Sequence, residues 1–497
     1  MRFRRFFPAA LIALVLSSGI AAEDVVGAQE RAPEASASSG KAAAQGASLS
    51  IFDAAIRAIA NDKTFKDSLV GIAVMDVDSG TLLGASNEHT PLNPASNAKV
   101  YTAACALATL RGNHRYGTSM HGNVNGQNVD NLVLRGSGDP SLETDDFLML
   151  ARDLAARGVR KIDGDVLVDQ RFFDDQTTPP AFEQQPNEWA SFRAPISALA
   201  VNENTITLSA RPGAPGGPTS FAFEPPGFVD VEGSIRTAES GAATVGLVLE
   251  GNGLRLKAKL TGAVSSESPI VRYARRVEDP RLLAGYVMRW ALEQFGIKIT
   301  GEVKLGDMPG APMIARHQSK PLSTLLYELG KQSNNFYAEM VFRTLTGDAP
   351  ATSANASAQV TKWLEKNDLS DEGMAIKNGS GLFDANRVTA FSMVKVLRYM
   401  WRDPGNQAEF VAQFSIGGAD GTLQGRFHNL TRARIVRAKT GTLDNAISLS
   451  GYVLGPPGHG PAAFSILFNK VAGKGTGARA AADKLVSVVA EQIWRTH

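Results

Sequence analysis

Three short polar motifs follow one another along the chain at very unequal spacing: Ser96-x-x-Lys99, Ser333-x-Asn335 and Lys439-Thr440-Gly441. Ser96 and Ser333 are 237 residues apart, whereas Ser333 and Lys439 are 106 residues apart. If the motifs share one site, one domain must be built from two separated pieces of chain. The longer gap is then large enough for a further domain, since domains typically contain ~100–200 residues.

The first motif pairs a serine with a lysine. A Pro-Ala pair precedes Ser96, and an apolar, Ala-rich run follows Lys99, which predicts a loop leading into a buried helix. Residues three apart share a helix face, so Lys99 can reach the Ser96 hydroxyl and, if burial lowers its pKa, act as the base that a serine nucleophile needs. The alternative for this motif alone is a capping serine beside a surface lysine. Another copy, Ser392/Lys395, lies in a stretch of helical periodicity that favours packing.

The second motif lies between two predicted helices. Gly330 interrupts the first apolar stretch, and a second one begins near Asn335, so the motif occupies a short loop. Ser333 could relay a proton toward a leaving amine, and Asn335 could hydrogen-bond a substrate amide. Serine and asparagine also favour caps and turns, which is the better reading of this motif in isolation.

The third motif lies on the first of three predicted antiparallel strands, followed by strands over 448–454 and 463–468. Gly441 in a strand indicates close approach of another backbone or a ligand. A ligand could add along this edge as an extra strand, with Lys439 attracting its carboxylate and with hydroxyl donors from Thr440 and Thr442. A charged edge strand that resists aggregation is an equal alternative for this motif alone.

Together the motifs resemble those of the serine penicillin-recognising enzymes. The surrounding sequence resembles one branch, the low-molecular-mass class C penicillin-binding proteins, which are D-alanyl-D-alanine carboxypeptidases and endopeptidases of peptidase family S13. The resemblance rests on the segments 93–99, 136–142 and 378–382, and it extends from about residue 50 to the C-terminus. Asn378 stands where this branch is expected to have Asp, which puts a turn contact in doubt but not the chemistry.

The resemblance implies an acyl-enzyme mechanism. Ser96 attacks the penultimate carbonyl of a D-Ala-D-Ala stem or a crosslink with Lys99 as base. The backbone N–H groups of Ser96 and Thr442 form the oxyanion hole, and Ser333 with Lys439 passes a proton to the leaving amine. The implied partners are peptidoglycan stem peptides and β-lactam antibiotics that acylate Ser96. Peripheral membrane association and the oligomeric state stay open.

The predicted fold class is α+β. An antiparallel sheet flanked by helices, similar to that of serine β-lactamases and penicillin-binding proteins, forms a discontinuous catalytic domain from residues 49–115 and 313–497. A mostly β inserted region spans 116–312 and contains a smaller nested domain over about 209–268. Helices near 52–60 and over 478–494 are expected to pack on the sheet, the latter through an apolar stripe of Leu485, Val488, Val489 and Ile493.

The N-terminus is typical of an exported protein. Three arginines precede a short apolar run and then small residues, which predicts a signal peptide over residues 1–22. The run is too short for a comfortable transmembrane helix. Residues 23–48 are rich in Ala, Ser and Gly and predict a flexible leader. The expected location is periplasmic, and export from a Gram-positive cell is the alternative that the sequence leaves open.

Composition argues against other classes of function. The net charge is only +2, so no global basic field attracts nucleic acid. The seven histidines show no metal-ligand spacing, and no glycine loop typical of phosphate binding follows a strand, so neither a metal nor another cofactor is expected. The single cysteine, Cys105, is expected to pack in the core.

Two rival functions use the same residues. A β-lactamase or esterase could employ this site, although such an enzyme needs no long insertion between its first two motifs; rapid turnover of penicillin would favour it. A catalytically inactive peptidoglycan-binding protein is the other rival, and binding without acylation would support that reading.

Overall fold

The structure, a computed structural model, describes residues 52–495. The predicted signal peptide (1–22) and leader (23–48) lie outside the described residues. Within the described part, no helix combines the length and the apolar character needed to cross a membrane.

The chain divides by sheet membership into a first segment, an inserted region and a last segment. The first segment contains α1 (52–60), β1 (Leu69–Asp76), β2 (Leu82–Ser86) and α2 (Ala98–Thr109). The inserted region contains β3 (Gly117–His121), β4 (Val124–Asn125), β5 (Asn128–Val129), β6 (Leu132–Gly136), α3 (Thr144–Ala156), β7 (Lys161–Ile162), β8 (Val166–Asp169), β9 (Thr205–Arg211), β10 (Ser220–Glu224), β11 (Val229–Gly233), β12 (Arg236–Ala238), β13 (Gly246–Asn252), β14 (Arg255–Thr261), β15 (Ala263–Ser265), β16 (Val271–Arg276), α4 (Leu283–Gln294), β17 (Lys298–Ile299), β18 (Val303–Leu305) and β19 (Met313–Gln318). The last segment contains α5 (Leu322–Gly330), α6 (Asn335–Arg343), α7 (Ser353–Lys366), α8 (Ala390–Trp401), α9 (Gln407–Ala412), β20 (Ser415–Ile416), β21 (Val436–Leu443), β22 (Ala446–Val453), β23 (Ala462–Asn469) and α10 (Gly475–Arg495).

The first and last segments form one six-stranded antiparallel sheet in the order β2-β1-β23-β22-β21-β20. The pairing of β1 with β23 runs from Leu69↔Asn469 to Asp76↔Ala462 and therefore joins the first and last segments into one domain. Every position of β22 is buried, because helices cover both faces of the sheet. On one face pack α1 and α10, through Phe52, Ile56, Leu485 and Val489 among others.

The opposite face carries the helix that follows Ser96. Nearly all of α2 is buried, including Cys105, in a core shared with α5, α6, α7 and α8. The α+β class, with an antiparallel sheet between helical layers, is confirmed. The C-terminal helix begins at Gly475, three residues before its predicted start. Of the predicted stripe, Leu485 and Val489 are buried, whereas Val488 and Ile493 are half-buried, and Val486 is buried instead.

The inserted region has a core of its own, and its edges differ from those predicted. Strand β19 pairs with β3 in a five-stranded sheet of order β18-β8-β6-β3-β19, so residues 313–318, assigned to the catalytic domain from sequence, pair within the inserted region. The nested part extends from β9 to β16, because these strands pair with each other beyond both ends of the predicted 209–268. Edge strands carry weak local signals, so long-range pairing decides such boundaries.

Candidate active site

Ser96 lies on a tight turn at the beginning of α2. Residues Ala95–Asn97 form a single 3-10 turn, and Ala95 has a φ of 46°, an unusual conformation for a residue with a Cβ. The turn is held because the Asn93 side chain accepts the Ala95 N–H at 2.9 Å. The predicted loop leading into a buried helix is confirmed, and the strained turn presents a half-buried Ser96 to a cavity.

Lys99 is completely buried directly behind Ser96. Its side-chain nitrogen donates to the Ser96 hydroxyl at 3.1 Å and to the Asn335 side-chain oxygen at 2.7 Å. A third hydrogen bond, also 2.7 Å long, reaches the main-chain carbonyl of Ser380. All three partners are neutral, so the nitrogen is held at Ser96 without a carboxylate in direct contact.

This environment tunes Lys99 for proton transfer. Burial lowers the pKa of Lys99 to about 7, while the negative charge of Glu339 works in the opposite direction. A lysine with a pKa near 7 is unprotonated in a large fraction of molecules at neutral pH and can accept the proton of an adjacent hydroxyl. The other Ser-x-x-Lys pair among the described residues differs: Ser392 donates to the Leu369 carbonyl, and Lys395 pairs with Asp368.

The second motif enters the same cavity from the loop before α6, as the sequence predicts. Ser333 has a φ of 59°, and Asn334 caps the helix by accepting the Tyr337 N–H at 3.1 Å. The Asn334 amide also donates to Glu203 of the inserted region, and the Asn335 amide donates to the Phe192 carbonyl at 3.0 Å. The inserted region therefore supports the motif from outside the catalytic sheet.

Lys439 forms a second buried lysine–serine pair. Its side-chain nitrogen donates to the Ser333 hydroxyl and to the Thr440 carbonyl, both at 2.7 Å. Burial, together with the charge of Lys99, holds the pKa of Lys439 well below its usual range. The Asn97 amide, oriented so that both of its ends have partners, donates to the Lys439 carbonyl at 2.8 Å and thereby ties the first motif to the third.

Gly441 marks a close approach of two backbones, as predicted from its place in a strand. A Cβ at this position would lie 2.8 Å from the Pro94 carbonyl and 2.1 Å from the Ser448 hydroxyl. That hydroxyl already donates to Pro94 at 2.6 Å. The absence of a side chain at Gly441 thus lets β21 lie directly against the turn that carries Ser96.

The two threonines of the third motif have different surroundings. Thr442 is exposed and lines the cavity, whereas the Thr440 hydroxyl donates to Thr422 at 2.8 Å. Strand β20 pairs only with Arg437 and Ala438, so within residues 52–495 no strand pairs with that edge of β21 from Lys439 onward. An extended peptide can add to such an edge.

These groups surround a cavity of about 730 Å³. Ser96, Ser333, Asn335 and Thr442 all line it, with the two lysines buried behind them. The inserted region contributes Gln184, Gln185 and Phe192, and the turn after Ser380 contributes Leu382, Phe383, Asp384 and Arg387. Among residues 52–495 no group of three or more His, Cys, Asp or Glu side chains is arranged to hold a metal ion.

Glu339 is a site residue that was not predicted from the sequence. This carboxylate is buried on α6 and accepts the backbone N–H groups of Gly379 and Ser380. The available signal was a charged residue inside an apolar helical stretch, four positions after Asn335 and hence on the same helix face.

Asn378, the departure from the expected Asp, makes contacts that an aspartate cannot. Its amide donates to the Pro180 carbonyl at 2.9 Å and to the Leu382 carbonyl at 3.2 Å. Its oxygen accepts the Gly381 N–H at 2.9 Å, a contact open to either residue. The turn is therefore intact, and the amide adds a link to the inserted region.

Comparison with known proteins finds relatives that match most of the chain. The curated D-alanyl-D-alanine carboxypeptidase of Actinomadura sp. (strain R39) is 32% identical over 454 residues, which cover 87% of this chain and 84% of that protein. A D-alanyl-D-alanine carboxypeptidase of Haemophilus influenzae is 26% identical, over 78% of this chain and 82% of its own length. The crystal structure of penicillin-binding protein 4 from H. influenzae superposes with a TM-score of 0.70 at 25% identity, covering 82% of this chain and 91% of that one.

The chain also matches the sequence profile of a protein family. The sequence profile of the D-Ala-D-Ala carboxypeptidase 3 (S13) family matches residues 52–492, which is nearly all of the chain that the structure describes. This chain, in which two cavity-lining serines each accept a hydrogen bond from a buried lysine, belongs to the D-Ala-D-Ala carboxypeptidase 3 (S13) family.

Proposed function

We propose that this protein is a serine D-alanyl-D-alanine carboxypeptidase and endopeptidase that cleaves peptidoglycan peptides through an acyl-enzyme on Ser96. The observation that carries the proposal is the contact of the buried Lys99 nitrogen with the Ser96 hydroxyl, 3.1 Å away, at the wall of the cavity. Membership of the S13 family supports the same substrate class.

The first step is formation of the acyl-enzyme. The substrate lies along the open edge of β21, where Lys439 attracts its terminal carboxylate. Neutral Lys99 accepts the Ser96 proton as the oxygen attacks the carbonyl of the penultimate D-Ala. Developing negative charge on the carbonyl oxygen is stabilised by the backbone N–H groups of Ser96 and Thr442.

Expulsion of the amine completes the acylation. The Ser333 hydroxyl donates its proton to the leaving nitrogen and is resupplied through Lys439, with which it is already hydrogen-bonded at 2.7 Å. Terminal D-Ala, or the amine side of a crosslink, then leaves, and water hydrolyses the ester. A β-lactam would enter the same path and form an adduct on Ser96.

The residues before position 49 suit an exported enzyme. We propose that residues 1–22 direct the chain across the cytoplasmic membrane and that the mature protein acts in the periplasm, where peptidoglycan lies. Appearance of mature protein lacking these residues in a periplasmic extract tests this, whereas uncleaved protein confined to the cytoplasm contradicts it.

The decisive experiment is the intact mass of the mature protein after brief incubation with benzylpenicillin. One penicillin adduct on the wild type and none on Ser96→Ala supports the proposed nucleophile. Ser392→Ala is the matched control, because Ser392 also precedes a lysine by three residues and should leave the adduct unchanged.

Two other outcomes contradict the proposal. Rapidly hydrolysed drug without an adduct would indicate a β-lactamase, and an adduct that persists in Ser96→Ala would assign the nucleophile elsewhere. Release of D-Ala from a pentapeptide ending in D-Ala-D-Ala, measured in parallel, distinguishes a peptidase from a protein that only binds the wall.

A further inference from the structure

Glu339 lies one helical turn after Asn335 on α6 and is only 2% exposed. Residues four apart on a helix share a face, so both side chains point to the same region behind Ser96. Asn335 touches the Lys99 nitrogen directly, whereas Glu339 acts on the turn next to it.

The carboxylate holds the turn whose carbonyl holds Lys99. One Glu339 oxygen accepts the Ser380 N–H at 2.8 Å, and the other accepts the Gly379 N–H at 3.1 Å. The carbonyl of the same Ser380 accepts from the Lys99 nitrogen at 2.7 Å. From the opposite side, the Thr102 hydroxyl donates to the Gly379 carbonyl at 2.8 Å. The Ser380 carbonyl is therefore fixed by groups that never touch the cavity.

The negative charge of the Glu339 carboxylate also acts on nearby cationic side chains. Among the described residues, the charged groups that act on it are Lys99 from α2 and Arg343 from its own helix, and Lys439 from β21 faces Lys99. Arg343 is paired with Asp174 of the inserted region. The direct partners of Lys99 are all neutral, so Glu339 supplies the opposing charge for this buried lysine.

We infer that Glu339 is a positioning residue for the proposed reaction: it fixes the Ser380 carbonyl against Lys99 and supplies the counter-charge that sets the pH range in which Ser96 is acylated. The inference rests on the proposed function. Burial raises the pKa of the Glu339 carboxyl, while its two backbone hydrogen bonds and Lys99 favour the ionised form. An ionised Glu339 stabilises protonated Lys99; removing that charge therefore favours the free base of Lys99 at lower pH.

The test measures the second-order rate constant of acylation by benzylpenicillin across about pH 5–10, since its acidic limb reports the base of the free enzyme. Glu339→Gln keeps the size of the side chain but removes the charge and places an amide N–H against a backbone N–H. We expect the acidic limb to move to lower pH and the maximal rate constant to fall about tenfold or more. A limb at the wild-type position in folded Glu339→Gln overturns the inference.

Thr102→Val is the matched control, because it loosens the same turn while every charge is kept. We expect it to lower the rate constant without moving the limb. If Glu339→Gln does not fold, Glu339→Asp serves instead: it keeps the charge but shortens the reach, so the limb should stay while the rate constant falls. Full activity in Glu339→Asp overturns the inference. Absence of an adduct on wild-type protein refutes the proposed function itself, so the two failures are distinguishable.

Discussion

The side-chain nitrogen of Lys439 lies 2.7 Å from the hydroxyl oxygen of Ser333, although 106 residues separate them. The pair repeats the relationship of Lys99 to Ser96, the other serine of this kind that lines the cavity. Both lysines are buried, and their mutual repulsion makes it costly for both to be protonated at once. Neutral Lys99 can therefore accept the proton of Ser96 while protonated Lys439 resupplies the proton that Ser333 gives to the leaving amine. Formation of the acyl-enzyme requires both proton transfers.

Replacement of Lys99 by Met is expected to lower the rate of acylation by about 10²–10⁴-fold, because the variant has no base at Ser96. Loss of the donor also leaves the Ser380 carbonyl and the Asn335 oxygen without their shared partner. The penicillin adduct, followed by intact mass against time, measures the effect. Lys395→Met is the control, because Lys395 belongs to the other Ser-x-x-Lys pair among the described residues and donates to Asp368. Equal acylation rates in the two variants would contradict the role of Lys99.

The pH dependence of wild-type acylation follows from the same lysine. Because burial lowers the pKa of Lys99 to about 7, the rate constant should fall as pH decreases below about 7, where Lys99 becomes protonated and can no longer accept the Ser96 proton. Stopped-flow acylation with a chromogenic β-lactam measures the limb. An acidic limb at about pH 10, the ordinary lysine range, would show that burial does not lower the pKa of Lys99, and a rate constant that stays level well below pH 7 would show that Lys99 is not the base.

Gly441→Ala should disrupt the contact between β21 and the Ser96 turn. The added Cβ would lie 2.8 Å from the Pro94 carbonyl, and overpacking of this kind costs about 1–3 kcal/mol. We expect lower thermal stability together with slower acylation, because relief of the clash displaces Ser96. Gly425→Ala is the control, since nothing lies within 4 Å of a Cβ there. Wild-type acylation in Gly441→Ala would show that the close approach is unimportant.

Asn378→Asp should destabilise the turn that it occupies. Aspartate cannot donate to the Pro180 and Leu382 carbonyls, and a buried group left without its partner costs about 1–3 kcal/mol. Chemical denaturation measures this loss. Asn355→Asp, at an exposed position in the first turn of α7, is expected to change stability by less than about 0.5 kcal/mol. An equal free energy of unfolding in the two variants would mean that the hydrogen bonds to Pro180 and Leu382 contribute little to stability.

Many site residues could be predicted because they belong to short sequence motifs whose local structure follows from the motif itself. The serine–lysine spacing in 96–99 requires only a helix, and a glycine inside a strand indicates a close approach wherever it occurs. The position of Glu339 in an apolar helical stretch was a local signal, but its contact with Ser380, 41 residues away, forms only on folding and could not be predicted from that signal. The boundary predicted at residue 313 differs from the strand pairing for the same reason, because Gln318 of β19 pairs with Gly117 of β3, 201 residues earlier.

The candidate nucleophile, base and proton relay, their order along the chain, and a domain assembled from two separated segments could all be inferred from the sequence. Whether these residues have the proton affinities that the reaction needs depends on the folded structure. Burial of both lysines lowers their pKa, and it arises from packing between segments as distant as Lys99 and Asn335, 236 residues apart. A pKa depends on the dielectric surroundings and charges contributed by the whole fold, and local sequence patterns carry no information about either.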